Sequence, residues 1–298
     1  MKIVDFLATD GIGLNGILYN ENTNTKDVIL AVHGMSSNCF KKRDSIIANE
    51  ANRANIDYFC FNNRGSELVK YIRKNIDGKK EKILAGTSYE DVLEGYEDIV
   101  GAILKLKEMD YTNIYLQGHS LGCTKIVYTY NELKDTEDDL IDTIKGVILL
   151  SLVNIPQVLK IYLRDNYNSY LKLAEEKESQ GKLYDLMPKE AFIHPISVKS
   201  FLRYARDNNE IKIDNYSKVN NIKDPIFMRW GTQNEMIVES PDELVVKVSN
   251  IIENDNKDID YIEGADHGYH AKEELVAKQI VKFIEKQRRN NETKFKTK

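Results

Sequence analysis

The segment Gly118-His119-Ser120-Leu121-Gly122 has the residue types of a covalent catalytic centre. It follows the apolar run at residues 114–116 and precedes a helical pattern that begins near Cys123. A serine at a sharp turn from strand to helix needs strained dihedrals and close approach of the chain, which glycines permit because they lack a Cβ atom. Such a turn presents the serine hydroxyl at a helix N-terminus, where backbone N–H groups can receive developing negative charge. The pattern therefore predicts that Ser120 is a nucleophile.

The elements that must position this serine are predicted by apolar patterning. Continuous apolar runs are typical of strands buried on both faces of a parallel sheet, and amphipathic stretches between them predict helices. The predicted strands are residues 2–8, 16–19, 28–32, 58–61, 114–116, 147–150, 226–228 and 260–262, and the predicted helices are 89–106, 120–133, 242–252 and 273–287. We expect an α/β architecture with a mostly parallel sheet, opened by an antiparallel hairpin of the first two strands.

One connection is much longer than the others. Residues 155–222 separate two predicted strands, whereas connections in α/β units usually have about 2 to 6 residues. Their apolar and aromatic positions recur at helical spacing, which favours a small helical cap over a disordered loop. We therefore expect a core formed by residues 1–154 and 223–287, a helical cap insertion at 155–222, and a flexible basic tail at 288–298.

The nucleophile motif and the order of elements resemble the α/β-hydrolase superfamily, in its branch of serine esterases, lipases and peptidases. The resemblance covers essentially residues 1–287 and implies an eight-stranded sheet. His33-Gly34-Met35 follows the strand at 28–32, where members of this superfamily place an oxyanion-hole loop after a His-Gly pair. The resemblance implies that the backbone N–H groups of Met35 and Leu121 bind the oxyanion and that His33 orients the loop. It also implies that His119 and the two motif glycines support the nucleophile turn.

A serine hydroxyl is a weak nucleophile at neutral pH and needs a base. In the superfamily's order the base follows the last strand, and His267 lies there, 147 residues after Ser120. Of the five histidines, two belong to the other motifs and one lies in the cap, which leaves His270 as the competing base. The resemblance therefore implies that His267 is the general base and then the general acid.

The third member of the expected triad departs from the superfamily's pattern, which places an acid three residues beyond a glycine. Here Asn234 stands three residues after Gly231, and the carboxylate of Glu235 comes one residue later. The corresponding Asp-to-Asn change in a trypsin-type triad lowers turnover about 10⁴-fold, because the carboxylate fixes the imidazole tautomer and stabilises imidazolium. Three readings stay open: Glu235 reaches His267, Asn234 orients it as a neutral acceptor, or the protein is impaired or uses another carboxylate such as Asp266.

Composition limits the class of protein. The 298 residues are 42% hydrophobic and 30% charged, which is enough chain to bury a sizeable core. Forty-two Lys and Arg against 47 Asp and Glu give a net charge of -5, which argues against a nucleic-acid binder. No apolar run approaches the roughly 20 residues that span a bilayer, and the first ten residues lack the features of a signal peptide. Cys39, Cys60 and Cys123 are widely spaced, so neither disulfides nor a structural metal are expected in this predicted cytoplasmic protein.

The residues and the resemblance together predict a serine hydrolase that cleaves a carboxylic ester or related acyl bond through a Ser120 acyl-enzyme, without a cofactor. A small-molecule substrate is expected, and thioesters, acyl transfer and peptide bonds stay open because they share this machinery. The segment after Arg64 is rich in basic residues and is predicted to be a solvated surface loop, with contact to an anionic substrate as the alternative. The alternative is a binding or regulatory protein that keeps the scaffold without efficient turnover, for which only Asn234 argues.

Overall fold

The computed structural model describes residues 1–21, 24–76, 78–136, 138–206 and 216–296. The strands are β1 (Lys2–Leu7), β2 (Gly13–Tyr19), β3 (Asp27–Val32), β4 (Asp57–Asn62), β5 (Lys70–Ile76), β6 (Lys79–Ala85), β7 (Asn113–His119), β8 (Ile144–Leu150), β9 (Ile226–Gly231) and β10 (Lys257–Ile262). The α-helices are α1 (Lys42–Arg53), α2 (Gly95–Glu108), α3 (Leu121–Asp135), α4 (Ile155–Leu163), α5 (Tyr167–Ser179), α6 (Val198–Ala205), α7 (Ser217–Asn220), α8 (Pro241–Ile251) and α9 (Glu273–Lys296).

Eight strands form one sheet in the order β1-β2-β4-β3-β7-β8-β9-β10. The pairs β1–β2 and β2–β4 are antiparallel, and every pair from β4 to β10 is parallel. The inner strands are buried on both faces because their apolar runs are uninterrupted, as in the sequence DVILAV of β3. The prediction of a mostly parallel eight-stranded sheet with an opening antiparallel hairpin is confirmed.

Helices cover both faces of this sheet. Ile29 and Ala31 of β3 join an apolar cluster with α1 and α9, while Val28 and Leu30 join a cluster with α2, α3 and α8 on the opposite face. This division follows from the period of two in a strand, which sends successive side chains to opposite faces. The carboxyl ends of the central strands therefore lie between two helical layers, where their connecting loops can meet.

The segment between β8 and β9 contributes a third apolar cluster. Its helices α4, α5 and α6 bury Leu159, Ala174 and Phe201, and the same cluster includes Leu121 at the start of α3. Met35 packs against this cluster and is partly buried. The insertion thus lies over the two segments that the sequence analysis assigned to the nucleophile turn and the oxyanion loop.

The prediction of a surface loop after Arg64 is wrong, because the chain there forms the antiparallel hairpin β5–β6. The side chains of Ile72 and Ile83, which pair across the hairpin, pack against the main core, whereas Tyr71 is exposed. Lys74 contacts the carboxylate of Asp10 at 2.9 Å, which ties the hairpin to the loop between β1 and β2. Neither β5, with the sequence KYIRKNI, nor β6, with the sequence KKEKILA, alternates apolar and polar residues, so the pattern that predicts a strand is absent here.

The last helix extends past residue 287, where the core was expected to end. α9 continues to Lys296, and Arg288 donates to the Asp27 carboxylate at 2.7 Å and to the Ala54 carbonyl at 2.9 Å. These contacts join the helix to the start of β3 and the end of α1. None of the helices in the described ranges is long and apolar enough to cross a membrane.

Candidate active site

Ser120 occupies a strained turn between β7 and α3. Its backbone has φ 55° and ψ -124°, outside the regions that non-glycine residues favour. A Cβ atom on Gly118 would lie 2.5 Å from the Cys123 nitrogen, and one on Gly122 would lie 2.2 Å from the Val32 carbonyl oxygen. The turn is fixed by hydrogen bonds from Ser120 N–H to the Leu150 carbonyl and from Cys123 N–H to the Ser120 carbonyl, both at 2.9 Å. The motif therefore adopts the predicted strand–turn–helix geometry.

His267 lies in the loop after β10 and lines the same cavities as Ser120. Its Nδ1 is 3.0 Å from Oδ1 of Asn234. Oδ1 also accepts the Met236 backbone N–H at 3.0 Å, which fixes the orientation of the amide. Because an amide oxygen only accepts, Nδ1 of His267 carries the proton and Nε2 keeps its lone pair. This is the tautomer that a general base for a serine requires.

The environment of His267 favours its neutral form. Burial lowers the pKa of this imidazole to about 4, and the negative charge of Glu235 opposes part of that decrease. The carbonyl oxygen of His267 accepts hydrogen bonds from His119 Nε2–H at 2.8 Å and from the Ser151 hydroxyl at 3.0 Å. His119, which precedes Ser120 in the chain, and Ser151 thus both hold the loop of His267 in place.

Asn234, rather than either neighbouring carboxylate, is the group on the His267 imidazole. The Glu235 carboxylate is exposed and accepts the backbone N–H of His267 at 3.4 Å. The Asp266 carboxylate accepts from His270 Nδ1 at 2.6 Å and from the Gly268 N–H at 3.0 Å. Of the three sequence readings, the geometry present here is the one in which Asn234 is a neutral acceptor. The competing base His270 is engaged by Asp266.

The loop His33-Gly34-Met35 reaches the nucleophile turn directly. A Cβ atom on Gly34 would lie 2.9 Å from both the Ser120 Cβ and the His119 carbonyl oxygen, so only glycine permits this approach. His33 is buried; its Nδ1 is 2.9 Å from the Gly34 carbonyl, and its Nε2 accepts the Asn63 N–H at 3.3 Å. Burial lowers the pKa of His33 to about 3, which keeps it neutral and fit for this supporting contact.

Met35 and Leu121, the two residues expected to supply oxyanion N–H groups, both belong to segments at Ser120. Met35 lines both cavities beside the serine, and Leu121 is buried as the first residue of α3. His119 is partly buried; desolvation of its ring lowers its pKa well below the usual value, and its ring centroid is 5.0 Å from that of His267. The structure therefore brings together all of the sequence-predicted site residues.

Two cavities meet at Met35, Ser36, Ser120 and His267. The first, which we call the apolar cavity, has a volume of about 280 Å³. The remaining residues that line it are Val153, Ile155, Val158, Leu159, Tyr162, Phe192, Ile193, His194, Glu235 and Met236. The second, which we call the polar cavity, has a volume of about 310 Å³. The remaining residues that line it are Gly34, Ser37, Lys41, Lys42, Arg43, His119, Gly268, His270 and Glu273.

Several residues of the site were not predicted from the sequence. Ser151, at φ 52°, holds the His267 carbonyl, and its place at the end of β8, next to β7 in the sheet, was an available signal. Arg43 is 7% exposed and lines the polar cavity, although charged residues at a helix start are usually solvated. Lys125, on α3, and Glu90, in the segment before α2, form a buried ion pair at 2.6 Å. Nothing in the local sequence marks these two charges as buried.

The architecture of the chain is also found in solved structures of other proteins. No family model matches the sequence, and no curated protein matches it. Solved structures match nearly the whole chain: Est1E from Butyrivibrio proteoclasticus with bound ferulic acid is 19% identical, with a TM-score of 0.66 over 95% of this chain and 98% of that one. The hydrolase GrgF from Penicillium sp. sh18 is 14% identical, with a TM-score of 0.65 over 96% and 98% of the two chains. The Pyrococcus furiosus esterase Pf2001 is 15% identical, with a TM-score of 0.59 over 96% and 91%. At these identities the likeness establishes the architecture, and the chain has the α/β-hydrolase fold.

Proposed function

We propose that the protein is a serine hydrolase that cleaves carboxylic esters or related acyl bonds through an acyl-enzyme on Ser120. The observation that carries this proposal is the tautomer of His267, which its hydrogen bond to Asn234 fixes. Nε2 of this histidine keeps its lone pair, and His267 lines the same cavities as Ser120. A scaffold without catalysis has no need of a strained serine together with an oriented, neutral imidazole.

The proposed reaction has two halves. Ser120 Oγ attacks the carbonyl carbon while His267 Nε2 takes the hydroxyl proton, and the backbone N–H groups of Met35 and Leu121 receive the negative charge on the carbonyl oxygen. The imidazolium then gives its proton to the leaving oxygen, and the bond between that oxygen and the acyl carbon breaks. Water repeats the sequence on the acyl-enzyme, which releases the carboxylic acid and restores the serine. No step requires a metal or an organic cofactor.

Asn234 changes the energetics of this scheme without changing its geometry. It holds the correct tautomer but carries no charge to stabilise the imidazolium. The carboxylate of Glu235, bonded to the backbone N–H of the same histidine, is the nearest source of that charge. We therefore assign Asn234 the orienting role and Glu235 a supporting electrostatic role, and we expect slower turnover than a carboxylate on Nδ1 would give.

The apolar cavity suits an uncharged acyl group. Its lining is mostly aliphatic and aromatic, with Tyr162 and Phe192 contributed by the insertion, which we propose acts as a cap over the substrate. Est1E, which has a similar fold, was solved with ferulic acid, so aromatic acyl groups belong in the first substrate panel beside straight-chain ones.

Turnover of a panel of 4-nitrophenyl esters tests this proposal. The panel runs from acetate to decanoate and includes a cinnamate, and the wild type is compared with Ser120→Ala. We expect saturable hydrolysis by the wild type, loss of turnover in the variant, and equal melting temperatures. A variant that stays as active as the wild type would remove Ser120 from the mechanism.

A binding or regulatory role is the second candidate, and one observation favours it. Asn234 is 5% exposed, and its Nδ2 has no hydrogen-bond partner among the described residues, so this amide is an imperfect substitute for a carboxylate. Under this reading the protein binds an ester or acid in the same cavities without turnover. Ligand binding by calorimetry, with an unmodified Ser120, would identify this case.

A further inference from the structure

The polar cavity differs from the apolar cavity in the charges that line it. Lys41, Lys42 and Arg43 contribute three cationic side chains, and Glu273 is the one acidic residue in the lining described above. Lys42 contacts Glu273 at 3.2 Å, but the lysine side chain is 75% exposed, where solvent weakens such a pair. Arg43 is also paired with Asp44, which lies outside the lining. With Asp44 included, the three cations still exceed the two acids by one, so this side of the cavity carries an excess of positive charge.

Arg43 is the most informative of these residues because it is buried. Its side chain is 7% exposed, and its Nε and Nη2 both contact the same oxygen of Asp44, each at 3.3 Å. Within the described part of the chain, no hydrogen bond joins its Nη1 to another group. A planar guanidinium can donate five hydrogen bonds and suits bidentate contact with a carboxylate or phosphate. Arg43 thus retains donor capacity at the wall of the cavity.

The start of α1 places three cations ahead of Asp44, the one acidic residue of its first turn. Lys41 is the N-cap residue and provides no side-chain hydrogen bond, and Lys42 and Arg43 follow it. Cations at a helix N-terminus oppose the helix dipole, and N-cap positions favour Ser, Thr, Asp or Asn instead. An anion at this position would satisfy both the cations and the first N–H groups of the helix.

The polar cavity is also the side from which water must reach the acyl-enzyme. Deacylation needs a water molecule that His267 can deprotonate, and an apolar lining does not supply one. By microscopic reversibility, the attacking water and the departing oxygen occupy the same position. The polar cavity, lined by His267, Gly268 and His270, therefore holds the leaving group, and the apolar cavity holds the acyl group.

We propose that the natural substrate is an ester of an apolar acid whose leaving group carries an anion, a carboxylate or a phosphate, that binds Arg43, Lys41 and Lys42. This inference rests on the proposed serine hydrolase function and defines the substrate class of that site. The anion is released with the alcohol, so the charge takes no part in bond breaking and acts through binding.

Three butanoyl esters that differ only in the leaving group test the proposal. The leaving groups are 4-hydroxybenzoate, 4-hydroxyphenyl phosphate and the neutral 4-hydroxybenzamide. We expect kcat/KM of the wild type to be about tenfold higher for at least one anionic ester than for the neutral one, the effect of one charge-assisted hydrogen bond. Whichever anionic ester is preferred identifies carboxylate or phosphate as the ligand. The preference should decrease at high salt.

The matched variants are Lys41→Ser/Lys42→Ser, Arg43→Gln and the distant surface control Lys172→Ser. Within each variant, the readout is the ratio of kcat/KM for the preferred anionic ester to kcat/KM for the neutral ester. This ratio should fall close to one in the lysine double variant and stay at the wild-type value in Lys172→Ser. If Arg43→Gln does not fold, the lysine double variant still tests whether the cations of the polar cavity bind the anion. Equal rates for all three esters, with the neutral ester hydrolysed, would overturn this inference and leave the serine hydrolase function standing. Hydrolysis of none of them, with Ser120 unreactive, would overturn both.

Discussion

The amide oxygen of Asn234 accepts a hydrogen bond from Nδ1–H of His267 at 3.0 Å and a second from the Met236 N–H at 3.0 Å. The second bond matters for the first because it prevents the amide from presenting its NH₂ group to the imidazole. A neutral side chain therefore imposes the tautomer that a carboxylate usually imposes in such sites. In the mechanism that we propose, orientation and charge, which one aspartate supplies in a trypsin-type triad, are divided between Asn234 and the neighbouring Glu235.

Asn234→Asp restores a charge at the imidazole with almost no change in volume. We expect kcat to increase by about tenfold or more, because a carboxylate stabilises the imidazolium of the transition state. The acidic limb of the pH profile of kcat/KM should also move to higher pH, because the new charge raises the pKa of His267 from about 4. Steady-state kinetics between pH 4 and 9 measure both effects. An unchanged rate with an unchanged profile would show that His267 is not the base.

Glu235→Gln removes the carboxylate that accepts the backbone N–H of His267. Because the Glu235 charge raises the pKa of this histidine, its loss should lower kcat several-fold and move the acidic limb to lower pH. KM for a neutral ester should change little. Glu263→Gln is the matched control, since the Glu263 carboxylate lies in the loop that contains His267 but accepts a hydrogen bond from the Thr232 hydroxyl instead. Asn234→Asp should rescue Glu235→Gln, and failure of that rescue would assign Glu235 a role other than charge.

Buried neutral histidines should make the protein less stable in mild acid. Burial lowers the pKa of His33 to about 3 and that of His267 to about 4, whereas unfolded histidine titrates near 6.5. Between these pH values the unfolded state binds more protons than the folded state. The free energy of unfolding therefore keeps its full value above pH 6.5 and decreases as the pH falls below 6.5. The contribution of His33 alone should lower the free energy of unfolding by about 2 kcal/mol at pH 5, relative to its value well above pH 6.5.

Urea unfolding at several pH values between 5 and 7.5 measures this dependence. His33→Asn should reduce the slope of unfolding free energy against pH by about one proton, or about 1.4 kcal/mol per pH unit, whatever its effect on stability at neutral pH. Equal slopes in the wild type and His33→Asn would contradict a neutral buried His33.

Removal of one partner of the buried ion pair between Lys125 and Glu90 should lower the free energy of unfolding strongly. Lys125 Nζ contacts the Glu90 carboxylate at 2.6 Å, and both side chains are almost fully buried. Lys125→Met leaves an unpaired buried charge and should lower the free energy of unfolding by about 3 to 5 kcal/mol, whereas Lys125→Met/Glu90→Gln should recover a large part of that loss. Lys105→Met, which breaks the exposed pair with Glu108, should cost less than about 1 kcal/mol. Equal effects of the two single variants would contradict the burial of Lys125.

The parts of the site that the sequence predicted are those encoded by contiguous residues. The elbow around Ser120 is one uninterrupted motif, and the long apolar runs such as that of β3 could only be buried strands. His267 followed from the order of elements in the resemblance. Local chemistry at these positions leaves few alternatives, so the strand-to-helix turn at Ser120 and the place of His267 after the last strand could be predicted. The catalytic roles of the two residues stay a prediction.

The parts that sequence could not predict depend on how separate segments meet. Asn234 and Glu235 are adjacent, and only the turn that bonds Met236 N–H to Asn234 determines which side chain faces His267. The burial of Arg43 and of Lys125 depends on partners brought by packing, because a charged residue has no local signal that distinguishes a paired interior position from a solvated one.

The most direct test of the account is intact-protein mass spectrometry after incubation with a fluorophosphonate, with Ser120→Ala in parallel. Only a serine activated by a neighbouring base reacts rapidly with this probe. We predict a single phosphonyl adduct on the wild type, mapped to Ser120, and none on the variant, with labelling lost as His267 is protonated at acid pH. An unlabelled wild type under conditions where the probe reaches the cavity, or an equally labelled Ser120→Ala, would contradict the central claim that Ser120 and His267 form a working nucleophile and base.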